Sequence, residues 1–129
     1  MRLFCTFASI MIFCLYIPHT TGQTGKIENQ ILRGWLSDEQ CARGRASAGA
    51  YTGTNPRCAK ECVAKGKKIV LIDSDRKKIV AIGNQSAAME HIGDYVEVTG
   101  VFDAGSLHIN SLRQLEKGVA ACERPKLDR

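Results

Sequence analysis

The chain has 129 residues, 44% of them hydrophobic and 24% charged, and a formal net charge of +5. That length suits one domain with a modest core and excludes a second large one. The eight Lys/Arg of residues 57–78 are interleaved with Glu61, Asp73 and Asp75. They form a solvated surface and not the unbroken basic stripe that a nucleic-acid partner favours.

Met1-Arg2 supplies a positive charge, and Leu3 to Ile17 is apolar except for Thr6 and Ser9. Pro18 and His19 end the run, and Thr20-Thr21-Gly22 offers small residues for cleavage after Gly22. This is the order of a secretory signal, and about fifteen apolar residues fall short of the roughly twenty that span a bilayer. Phe4 and Phe13 precede Cys5 and Cys14, where a lipid-anchor site needs a small residue. The expectation is therefore a signal peptide over 1–22 and a secreted or periplasmic product with no membrane span. Removing 22 of 129 residues leaves 107, and losing Arg2 takes the formal charge from +5 to +4.

Residues 23–30 read as a polar leader. Ile31 to Ser37 is a first strand, with Gly34 as a bend and Trp35 as the chain's single Trp. Residues 42–57 are rich in Gly, Ala and Thr and read as a long loop, without the framing of a phosphate-binding motif. Asn55-Pro56 with Gly66 brackets a short helix that carries Cys58 and Cys62 on one face.

Lys68–Ile72 and Lys78–Ile82 are strands joined by a polar turn at 73–77. That turn lacks the Gly and terminal Glu of a calcium loop. Ser86 to Ile92 reads as a helix with Ser86 as N-cap. A last hairpin follows: Val96, Val98 and Phe102 inward, Tyr95, Glu97 and Thr99 outward, Gly100 as a bend. The turn lies at Asp103–Gly105 and the return strand runs to Leu115, where Leu112 and Leu115 break the period-two pattern. Residues 116–129 form a polar tail.

The fold class that follows is mainly β with short helices. It is an OB-fold-like five-stranded barrel over 31–115 with a helix between strands 3 and 4. An extra disulfide-tethered helix lies between strands 1 and 2.

Four of the six cysteines survive cleavage: Cys41, Cys58, Cys62 and Cys122. An even number in a small exported domain points to disulfides, with Cys41 pairing with one of Cys58 and Cys62, and Cys122 with the other. Paired close spacings for zinc are lacking and the Cys-x-x-Cys of redox catalysts is absent, so no metal or cofactor is expected. His91 and His108 show no nucleophile or carboxylate partner in the sequence, so no catalytic residue is expected either. Weak binding candidates are Trp35, Tyr95 and His108.

Gly34-Trp35-Leu36-Ser37-Asp38 followed by Cys41, then Cys58-x-x-x-Cys62-Val63 with Gly66, Ile69-Val70-Leu71 and Val96-x-Val98-Thr99-Gly100 occur in an order that resembles a group of small exported bacterial proteins with an OB-like domain. The resemblance covers about residues 33–112 and implies a fold and an address, with no activity to carry over. In that group the loop after the first Cys often holds a His, whereas this chain has none between residues 42 and 57. The function class expected is a non-catalytic binding or interaction module, with an envelope protein or a glycan as partner and no nucleic acid. A Cys-dependent metal-binding or redox protein and a small secreted enzyme are the alternatives.

Overall fold

A computed structural model describes residues 28–118. The expected signal peptide, most of the leader, Cys122 and most of the tail lie outside the described residues. The elements are β1 (Gln30–Asp38), α1 (Glu39–Ser47), α2 (Pro56–Ala64), β2 (Ile69–Asp73), β3 (Lys78–Ala81), a 3₁₀ helix (Gln85–His91), β4 (Tyr95–Asp103) and β5 (Ser106–Glu116). The five strands form one antiparallel sheet in the order β3-β2-β1-β4-β5, so the protein is mainly β with short helices.

The inward rows of β1, β2 and β4 bury Leu32, Leu36, Ile69, Leu71, Val96 and Val98, joined by Leu107 and Ile109 of β5. Ala59 and Val63 of α2 and Ala88 and Ile92 around the 3₁₀ helix pack against the same core. Sheet curvature is built in at two inward glycines. A Cβ at Gly34 would stand 2.3 Å from the Ile72 carbonyl oxygen, and one at Gly100 2.2 Å from that of His108. Only glycine lets neighbouring backbones approach this closely.

Beyond β3 the chain turns back onto β5. Ile82 forms an isolated parallel bridge with Leu107, and the Gly83 N–H donates to the Leu107 carbonyl at 2.9 Å. Asn84 then substitutes for a strand residue: its side-chain oxygen accepts from the Ile109 N–H and its amide donates to the Ile109 carbonyl, both at 2.8 Å. Gln85 does the same for Ile69, accepting from its N–H at 2.6 Å and donating to its carbonyl at 3.1 Å. Replacing Asn84 by alanine strands both backbone groups of Ile109. We expect a stability loss of about 1–3 kcal/mol by denaturant unfolding.

Several expectations are corrected. Residues 39–47 are helical where the loop was placed from 42. Asp38 caps that helix by accepting from the Cys41 N–H at 2.9 Å, and only Ala42 of the helix is buried, so it has no apolar stripe to read. The helix after β3 is 3₁₀, and its N-cap is Asn84, not Ser86, with the cap side chain engaged by β5 instead. Phe102, placed inward, is 41% exposed at the hairpin tip. The broken period in β5 has a physical cause. Thr99 pairs with Ser111 but Gly100 with Ile109, so Asn110 bulges and brings Leu112 back to the core face. A second shift between Tyr95 and Val96 leaves Leu115 unpaired.

Candidate functional site

The outer face of the sheet has two halves. On the β1–β2–β3 side, α1 and the segment 48–55 cover Val70 and Ile72 through Ala42 and Tyr51, with Trp35 and Ile79 at the margin. The covering segment is pinned by a buried hydroxyl pair, Ser37 with Thr54, and by Ser74 Oγ donating to the Tyr51 carbonyl. Arg45 of α1 donates to the Thr52 hydroxyl at 2.6 Å.

Trp35 stands at the edge of this cover. It pairs in register with Tyr95, ring centroids 5.1 Å apart and tilted by 49°, and its other flank packs on Gly53, where a Cβ would meet the indole at 2.7 Å. Beside it opens a groove of about 350 Å³, lined by Trp35, Arg45, Thr52, Gly53, Thr54, Asn55, Gly93 and Gly118. One aromatic wall, one guanidinium and a rim of hydroxyl, amide and backbone groups can orient a small polar ligand. A second groove of about 260 Å³ lies against Ile31, Arg33, Asp73, Asp75 and Arg76, with Arg76 paired to Asp73 at 3.1 Å.

The β1–β4–β5 half is open. Next to the Trp35–Tyr95 row comes Arg33–Glu97–Arg113, in which Arg33 and Arg113 approach the Glu97 carboxylate at 2.7 and 2.8 Å. Arg113 first, then Arg33, hold the Glu97 carboxyl below the usual carboxylate range, and Glu97 in turn raises Arg33. A lowered folded-state value adds stability above the ordinary glutamate pKa, and that stability is lost as pH falls through the folded value. Glu97→Gln should therefore remove this small exposed-pair contribution at neutral pH, leave low-pH stability as in the wild type, and so flatten the loss of stability below about pH 4. Thermal unfolding from pH 7 to pH 3 measures this.

His108 belongs to the same outer face but to its far end. It pairs with Val101, six residues along β4 from Tyr95, or roughly 20 Å at strand rise, and its ring packs on Gly83. The three binding candidates thus do not form one site: Trp35 and Tyr95 meet, and His108 stands apart. His91 has a carboxylate partner after all, its Nδ1 lying 3.5 Å from Asp94, whose other oxygen accepts from the Gly118 N–H at 2.9 Å.

The cysteines divide in a way their spacing did not show. Cys58 is exposed, whereas Cys41 and Cys62 are half-buried and carry their sulfurs close together; no disulfide joins any two of these three. Cys122 lies outside the described residues. Asp38 joins the pair from the end of β1, and a carboxylate oxygen and the two sulfurs lie within 4.8 Å of one another. Burial first, then contact with the Asp38 carboxylate, then Cys62, pushes the Cys41 thiol up to about 12.

Asp38 is the residue that sequence reasoning passed over. The available signal was its position before Glu39 at a strand end, the pattern of an N-cap. No family model, curated protein or solved structure matches the chain.

Proposed function

We propose that the protein is an exported, non-catalytic binding module on an OB-like barrel, and that it takes a glycan in the groove beside Trp35. The observation that carries this reading is the groove itself: one indole wall braced by Tyr95 and Gly53, with Arg45, Thr52, Thr54 and Asn55 around it. Sugars present an apolar face to an aromatic ring and hydroxyls to polar neighbours, which is this combination. Neither the His91–Asp94 pair nor the Asp38–Cys41–Cys62 group lines either groove, which favours binding over catalysis.

Barrel closure is supported by the strand order, the parallel Ile82–Leu107 bridge and the helix between β3 and β4. Export rests on the sequence of residues 1–22 and on the resemblance to small exported proteins. In an oxidising compartment, Cys58 and Cys122 form the tether of α2. Gly118 lies against Pro56, where a Cβ would stand 2.9 Å from the ring. In sequence Cys122 follows Gly118 by four residues, and its proposed partner, exposed Cys58, stands on the first turn of α2, two residues after Pro56.

Trp35 is the chain's single Trp, so its fluorescence reports the groove alone. Titration with a panel of neutral and acidic oligosaccharides should give a saturable change for at least one class. Trp35→Ala should then reduce affinity by about tenfold or more in calorimetry. A flat response across the panel would sink the glycan reading and direct attention to a protein partner.

A further inference from the structure

We propose that Asp38, Cys41 and Cys62 form a binding site for a divalent cation of the zinc class. The proposal is independent of the groove and does not need the glycan reading to hold. It departs from the expectation that the cysteines serve disulfides alone.

The starting observation is a polar group that the fold leaves unsatisfied. Asp38 is 0% exposed. Its Oδ2 caps α1 through the Cys41 N–H, but Oδ1 is buried without a hydrogen-bond partner. Among the described residues no Lys, Arg or His pairs with it. A buried carboxylate with one orphaned oxygen is costly unless a hydrogen-bond donor or a cation completes it.

What lies beside Asp38 is a pair of sulfurs. Cys41 comes from the first turn of α1, three residues after the cap, and Cys62 from the last turn of α2, twenty-one residues further on. One carboxylate oxygen of Asp38 and both sulfurs lie within 4.8 Å of one another. Around a tetrahedral zinc, with bonds of about 2.3 Å to sulfur and 2.1 Å to oxygen, donor atoms stand roughly 3.6–3.8 Å apart. The three ligands therefore need to close by at most about 1 Å.

The donor set chooses the metal. Two sulfurs exclude calcium and magnesium, which take oxygen, and a mixed S₂O set suits zinc. Both cysteines are only half-buried, so water can supply the fourth ligand. Three protein ligands and one open position is the composition of zinc sites that keep an exchangeable ligand.

The rival arrangement is a Cys41–Cys62 disulfide. It would use both sulfurs and still leave Asp38 Oδ1 orphaned. A cation satisfies all three groups at once, which is why the geometry points to metal.

The test uses the mature exported chain, purified without chelator, its zinc content measured per chain, then stripped and titrated with Zn²⁺ and with Co²⁺. The expected result is one equivalent of zinc and a cobalt–thiolate charge-transfer absorption. Cys62→Ser and Asp38→Asn should each weaken binding by more than the roughly 100-fold that loss of an outer-shell partner costs, and Gly44→Ala, in α1 with open space around it, should bind as the wild type does. Asp38→Asn also alters the α1 cap, so Cys62→Ser keeps the test decisive if that variant does not fold. A peptide map showing a Cys41–Cys62 disulfide in the exported chain would overturn the site. So would zinc affinity unchanged by Cys62→Ser.

Discussion

Gly34→Ala should lower the midpoint of thermal unfolding by more than about 10 °C. The new Cβ would meet the Ile72 carbonyl oxygen at 2.3 Å and its carbon at 2.9 Å, both backbone atoms of the neighbouring strand. No rotamer change relieves such a contact; β1 must move off β2. Overpacking of a core costs about 1–3 kcal/mol when side chains can adjust, and here they cannot, so the upper end applies. Each kcal/mol moves the midpoint of a domain this size by about 4–8 °C. Gly100→Ala should behave alike, against the His108 carbonyl at 2.2 Å. Gly44 is the control, since it sits in α1 with nothing within 4 Å of an added Cβ. Gly44→Ala should be neutral or stabilising by up to about 1 kcal/mol. Equal stability of Gly34→Ala and wild type would mean that the strands do not approach as described.

Cys58→Ser should cost the exported protein roughly 4 kcal/mol in denaturant unfolding. A Cys58–Cys122 bridge closes a loop of about 64 residues, and the loop-entropy relation gives that magnitude at 25 °C. Cys122→Ser should cost the same, and the double variant no more than either alone, because both remove one bond. Alkylation of native wild-type protein should leave Cys58 unlabelled although its side chain is exposed. Ready labelling of Cys58, with no stability change in either variant, would refute the tether.

The parts of this fold that were legible in the sequence are those set by local chemistry. Asn55-Pro56 opens α2, with the Asn55 side chain accepting from the Arg57 and Cys58 N–H groups at 2.9 and 3.3 Å, as its cap position demands. Gly34 and Gly100 announced bends because an inward row cannot otherwise hold a residue without a side chain. The five strands were legible from alternation and β-branched runs.

What was not legible depends on pairing between distant segments. The bulge at Asn110 decides that Leu112 is inward, and it exists only against β4. Helix α1 is set by one capping carboxylate and a single buried Ala, so neither composition nor periodicity reveals it. Of the candidate site, Trp35 and Tyr95 were found, but their stacking follows from the β1–β4 register, and His108 was drawn to them only by residue type. The Asp38–Cys41–Cys62 group joins a strand end to two helices; i, i+4 spacing in α2 put Cys58 and Cys62 on one face and concealed that only Cys62 turns toward Cys41.

The most direct test of how the cysteines are divided is the mass of the exported chain, taken under denaturing and then native conditions. The expected product is a polypeptide beginning at Gln23, two hydrogens lighter than its reduced form, that gains the mass of one zinc ion when native. A chain four hydrogens light and free of metal would contradict it, placing Cys41 and Cys62 in a second disulfide; a chain still carrying residues 1–22 would contradict cleavage and leave the anchor reading in its place.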